Sequence, residues 1–224
     1  MKKLKNLFFK KNKIIDEIIY KIKSGAFKNS KLDLSGKDLT NSDLLPLWES
    51  LQGNVEISEL DLSNNLIGDI EFINNIKVIK LNLSDNKIIQ SRNSLVNNEI
   101  QYLNLNGNLI TDIDFKGIKN LKSLEIKRNK ISDISRLELN ENLIMLDLSE
   151  NHISSLSALP KLKNLNTLIV SDNSLSDLNF LRKHKNIENL VVKNNKIVML
   201  DALSAHEKLK FIDLDNNYVE NLLP

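Results

Sequence analysis

LDLSENHISSLSALPKLKNLNTL (Leu146–Leu168) decides how this chain folds. Leu146, Asp147 and Leu148 alternate aliphatic and polar. That period of two describes a short strand with two side chains turned in and one turned out. Asn151 follows three residues after Leu148; an asparagine there tolerates turn geometry and brings both donors and an acceptor. Aliphatics then return about every third residue, at Ile153, Leu156, Leu159, Leu162 and Leu165. This spacing predicts short extended or 3₁₀-like segments that carry the chain back to its starting edge. At Leu168 the pattern begins again.

The block occurs nine times, starting at residues 32, 60, 81, 103, 124, 146, 168, 190 and 212. Successive starts are 28, 21, 22, 21, 22, 22, 22 and 22 residues apart. The turn asparagine recurs as Asn65, Asn86, Asn108, Asn129, Asn151, Asn173, Asn195 and Asn217, and Lys37 stands in its place in the first block. Stacked asparagines are expected to satisfy turn backbone groups buried between neighbouring repeats. One repeat buries too little apolar surface to offset the entropy of ordering about 22 residues, so stacking decides stability.

The wording resembles the leucine-rich-repeat family pattern, LxxLxLxxNxI. The 21–22-residue copies resemble the short class of the protein phosphatase 1 regulatory subunit and of the internalins, whose phrasing NKISDIS (129–135) approaches. The 28-residue first repeat departs and resembles the ribonuclease-inhibitor class. In that class a helix closes the coil; NSDLLPLWESL (41–51) supplies it, with Ser42 as the expected N-cap and Leu44, Leu47, Trp48 and Leu51 on one face. The resemblance covers about residues 32–219. It implies an α/β solenoid, a right-handed arc with a concave parallel sheet of about nine strands. For function it implies a protein-binding module, in a family that hosts many unrelated partners.

Three domains are expected: a basic, mobile tail at 1–11, an N-terminal capping helix within 12–31, and the repeat array at 32–224. Ile14, Ile15, Ile18, Ile19 and Ile22 share one helical face, and Gly25 is a plausible stop, so a helix is predicted over about 13–24. The chain carries +2 overall, but residues 1–31 hold ten lysines against Asp16 and Glu17. The excess there reads as a solvated outer face or as contact with an anionic membrane through residues 1–13. Phe8 and Phe9 favour membrane over nucleic acid. At the other end, an open edge after the last block would be tolerated, continued by a longer chain, or covered by a second copy in a homodimer.

Outward strand positions form three columns on the concave face. The middle column reads Asp33, Asp61, Asn82, Asn104, Glu125, Asp147, Ile169, Val191, Asp213. The preceding one reads Lys31, Glu59, Lys80, Tyr102, Ser123, Met145, Thr167, Asn189, Phe211, and the following one Ser35, Ser63, Ser84, Asn106, Lys127, Ser149, Ser171, Lys193, Asp215. Most of these side chains are read as structural or solvated. Met145, Ile169, Val191 and Phe211 are apolar where water is expected, and are read as one partner-binding patch. Lys127, Arg128 and Lys193 are expected to flank it with positive charge, and Tyr102 is a separate candidate contact.

The chain is not expected to be an enzyme. It has no phosphate-binding glycine loop, nucleophile elbow or zinc-protease signature, and an open, water-washed face would not separate carboxylate pKa values for acid–base work. With no cysteine, and with His152, His184 and His206 scattered, neither metal nor cofactor is expected. No stretch approaches the ~20 apolar residues of a spanning helix, and no Sec-type export is expected. The expected setting is cytoplasmic, as an intracellular regulatory scaffold, or that of a bacterial effector delivered into a host by a signal-independent route.

Overall fold

Nine strands pair in chain order into one parallel sheet, each joined to the next by its own repeat. They are β1 (Lys31–Asp33), β2 (Ile57–Asp61), β3 (Val78–Asn82), β4 (Tyr102–Asn104), β5 (Ser123–Glu125), β6 (Met145–Asp147), β7 (Thr167–Ile169), β8 (Asn189–Val191) and β9 (Phe211–Asp213). The computed structural model describes residues 2–25, 31–51, 57–89, 95–112, 114–135, 137–204 and 206–220, with side chains from Lys13 onward. The fold is the leucine-rich-repeat solenoid anticipated from the pattern.

Register follows from one inward residue per strand. Leu32, Leu60, Leu81, Leu103, Leu124, Leu146, Leu168, Leu190 and Ile212 stand side by side across the sheet. All but Ile212 are buried. The second inward aliphatic of each block, from Leu34 to Val192, is fully enclosed, whereas Leu214 on the outermost repeat is half-buried. The returning arms contribute the rest: in the sixth repeat Ile153, Leu156, Leu159, Leu162 and Leu165 are all buried. Among the described residues, three arms contain 3₁₀ turns, at Glu71–Asn75, Asn179–Arg182 and Asp201–Leu203.

The turn asparagines form a ladder with a direction. Asn108 Nδ2 donates to the carbonyls of Leu105 (3.0 Å) and Asn106 (3.2 Å) in its own repeat and of Leu83 (3.0 Å) in the repeat before. Its Oδ1 accepts the amide of Ile88, also in the repeat before. Asn65 does the same for the first repeat, accepting from Lys37 N and Leu39 N and donating to Leu34 O. Each asparagine thus satisfies the repeat N-terminal to it. Nothing of the array lies behind the first repeat, which is why Lys37 is tolerated there. The residue just before each ladder asparagine is left-handed, including Arg128 and Glu150. Gly107 is the glycine of this series; a Cβ on it would collide with the Arg128–Asp85 ion pair, which spans its repeat.

Helix α1 (Lys2–Lys23) starts well before the expected position 13, so the lysine-rich segment expected as a mobile tail is helical from Lys2. Lysine and leucine are good helix formers and nothing in 2–12 breaks the run. The helix ends as predicted at Gly25, whose φ is 67°. Ile15 and Ile22 are buried, and Ile14, Ile18 and Ile19 pack half-buried on the core. Beneath it, α2 (Asn41–Leu51) buries Leu44, Leu47, Trp48 and Leu51. Its N-cap is Thr40, one residue before the helix, and not Ser42. Thr40 N donates to Asp43 Oδ2 (2.8 Å) and Asp43 N reaches back to Thr40 Oγ1, a reciprocal capping box. Trp48 stacks on Phe72 with ring centroids 4.3 Å apart, tying α2 to the second repeat. No helix among the described residues is long and apolar enough to cross a membrane.

Candidate functional site, the concave sheet face

The middle outward column has a structural task. Asp33, Asp61, Asn82, Asn104, Asp147 and Asp213 each accept, through Oδ1, the amide two residues on, at 2.8–3.1 Å. The side chain closes an Asx turn where the strand ends. At Glu125 the corresponding amide, Lys127 N, donates instead to Asn106 Oδ1 at 2.7 Å. Only Ile169 and Val191 interrupt the column with side chains that cannot accept.

These two are brought together. Register pairs Ile169 on β7 with Val191 on β8. Met145 faces Thr167, and Phe211 faces Asn189, so each lies diagonal to the pair, one column over. Thr167 and Asn189 separate Met145 from Phe211 within that column. The predicted patch is therefore an aliphatic pair with a diagonal neighbour at each end. Ile169, Val191 and Met145 are half-buried, whereas Phe211 is 53% exposed.

The positive fringe expected around it is neutralised. Lys127 Nζ lies 2.9 Å from Glu150 Oε1, and that hydrogen bond holds the lysine above its ordinary pKa. Lys193 faces Asp215 at 3.7 Å, and Arg128 is turned to Asp85. Left-handed turn positions place Glu150 and Asp85 within reach of the Lys127 and Arg128 heads, which spacing along the sequence leaves unpaired.

Tyr102 lies on β4, apart from the patch, and is 41% exposed. Lys80 Nζ sits 5.6 Å from its ring centroid while bridging to Glu59 at 2.9 Å; Lys31 holds the same carboxylate at 2.7 Å. The Lys31 and Lys80 bonds hold the Glu59 carboxyl below its ordinary range. Beside Tyr102 is a dip of ≈ 290 Å³ lined by Asp61, Asn82, Asn104, Ser123 and Glu125. Asp33 is also depressed, first by the Ser35 amide and then by the Ser35 hydroxyl.

Two features escaped the sequence reading. A second asparagine column, on the edge where strands begin, links repeats: Asn120 Nδ2 donates to Asn98 O, Asn142 to Lys119 O and Asn186 to Lys163 O. Its 22-residue period was the available signal. Secondly, two of the scattered histidines stack at equivalent positions. His184 and His206 are buried, and His206 Nε2 lies 2.9 Å from His184 O.

A family model described as Leucine Rich repeats matches residues 98–139 and 141–183. Among solved structures, internalin C2 of Listeria monocytogenes aligns at 27% identity with a TM-score of 0.68, over 83% of this chain and 80% of that one. An internalin, inlF, of the same organism aligns at 19% identity and TM-score 0.57, over 91% and 71%. TLR13, in a complex with ssRNA13, aligns at 24% identity and TM-score 0.71, over 87% of this chain and 29% of that one. The last two likenesses are of fold alone. No curated protein matches the sequence significantly.

Proposed function

We propose, for a chain that is a leucine-rich-repeat protein, that it is a protein-binding module whose partner docks on the concave face around Ile169 and Val191. One observation carries this reading. Six of the nine middle-column residues are Asp or Asn closing their own Asx turn, and the two aliphatic exceptions are neighbours on paired strands. Each exception forgoes a local hydrogen bond and sets apolar surface on an otherwise polar face. Their packing on each other across the strands is local, and the apolar surface they leave on the face is accounted for by a partner's apolar surface. Of the two settings, the likeness to internalin C2 of Listeria monocytogenes supports the bacterial one.

The test is Ile169→Asp with Val191→Asp. Each new carboxylate can accept the amide two residues on, as in the other repeats, so the melting temperature is expected to stay within a few degrees of the parent. Proteins captured from a cell lysate by the parent chain should be lost. Capture by a folded double variant would place the site elsewhere.

A second reading, contact of residues 1–13 with anionic lipid, is favoured by the continuity of α1 from Lys2, which makes the lysine-rich segment one helix. Co-sedimentation with phosphatidylserine vesicles that persists after removal of residues 1–13 would end it.

A further inference from the structure

The three outward columns of the sheet carry four lysines, Lys31, Lys80, Lys127 and Lys193, and every one of them is in an ion pair. They carry seven carboxylates. Glu59 and Asp215 are used in those pairs; Asp33, Asp61, Glu125, Asp147 and Asp213 have no ion-pair partner among the described residues. The face is therefore net negative by three, with its surplus confined to acids, on a chain that is +2 overall. The surplus is aligned with the apolar pair. Glu125, Asp147, Ile169, Val191 and Asp213 are successive members of one column, on strands about 4.8 Å apart. Like charges side by side at Glu125 and Asp147 cost the free protein something and gain from a cation laid over them.

We propose that the occupant of this face is a basic segment of a partner protein, laid across the strands. Its aliphatic or aromatic side chain sits on Ile169 and Val191, and its lysines or arginines lie over Asp147 and Glu125 on one side and Asp213 on the other. A long basic side chain extending further reaches the dip beside Tyr102, where its stem packs on the ring and its head meets Asp61 and Glu125. Charge complementarity selects this class and disfavours nucleic acid, whose phosphates would meet the same carboxylates. The inference rests on the patch being the docking site, and the test separates the two.

The full chain is immobilised and challenged with a random 15-residue peptide library displayed on phage. Selected peptides are then measured against the parent, Ile169→Asp/Val191→Asp, and Asp61→Asn/Glu125→Gln/Asp147→Asn. In the amide triple variant the side-chain oxygens at positions 61 and 147 still close their turns, as those of Asn82 and Asn104 do in this column, and the one side-chain bond given up is that from Asn82 Nδ2 to Asp61 Oδ2 on the outward face, so its fold is preserved. The expected result is enrichment of peptides that join apolar residues to Lys or Arg. These should weaken roughly tenfold on the triple variant at low salt and lose binding on the aspartate pair. Selected peptides that bind the triple variant as well as the parent overturn the basic-segment inference while leaving the patch standing. Peptides indifferent to the aspartate pair, or no enrichment, overturn both. A synthetic peptide of residues 1–13 is run as competitor. If it alone displaces the selected phage from the patch, the occupant is a second copy of this chain and the partner proposal fails. Saturable binding of a 13-nucleotide single-stranded RNA at the patch also overturns it.

Discussion

At the scale of residues, the ladder asparagines differ in what they hold, although the sequence writes them alike. Asn108 is buried, touches three carbonyls and one amide, and serves two repeats. Asn108→Ala strands buried groups that water cannot reach, and urea unfolding should register a loss of roughly 2–4 kcal/mol. Asn217 makes similar bonds but is half-buried, so its partners are re-solvated when it is removed. Asn217→Ala should cost less than half as much. The direction of the ladder gives a sharper prediction. Lys37→Asn restores the consensus yet has no preceding repeat to serve, so its effect should stay within about 0.5 kcal/mol. A gain as large as the Asn108→Ala loss would show that the ladder does not point backwards. The asparagine column was legible because it recurs. Its direction was not, since spacing gives no sense of which neighbour a side chain addresses. The left-handed backbone at Arg128 and Glu150 was equally hidden, because neither residue type signals a positive φ.

At the scale of elements, what recurs nine times was read correctly and what occurs once was read less well. The strands and their inward leucines followed from period-two alternation, and the register from aligning the recurring block. Helix α2 was placed correctly but its cap was not: Ser42 and Thr40 are both good capping residues, and only geometry shows Asp43 answering Thr40. Thr40→Ala should therefore cost about 1 kcal/mol, and Ser42→Ala less than half of that, measured by the same unfolding. The start of α1 was misplaced because the isoleucine face begins only at Ile14, and the lysine-rich stretch before it carries no hydrophobic periodicity to betray a helix. Helix α1 covers the first repeat with Ile15 and Ile22. In the last repeat the corresponding slice of core, Ile212 on β9 and Leu214 just after it, is half-buried instead.

At the scale of the whole molecule, charge organises the surface. Asp33, Glu59, Asp133, Glu141 and Glu188 are all held below their ordinary pKa values, each chiefly by a hydrogen bond from a serine amide or a lysine. Such groups bind protons more weakly folded than unfolded, so their contribution is present above the ordinary values of 3.8 and 4.5 and is lost as pH falls through the depressed folded values. Lys80, Lys127 and Lys163 are raised, and their contribution is lost only above the ordinary 10.5. The melting temperature should be nearly flat between about pH 6 and pH 9 and fall on acidification below about pH 4.5; a maximum in the acid range would contradict this. The candidate site was half legible. Its apolar members stood out because they break a repeated wording. The acidic surplus was present in the columns, but which carboxylates carry it emerges only once each lysine is seen to be spent on a neighbour. The claim that the partner docks at Ile169 and Val191 is tested most directly by a photo-crosslinking amino acid placed at Thr167, between Met145 and Asn189 on the patch, and at Lys161 on the exposed returning arm. In a cell lysate, the account predicts a discrete cross-linked partner from position 167 and none from 161. Cross-linking from 161 alone, or from neither, would contradict it.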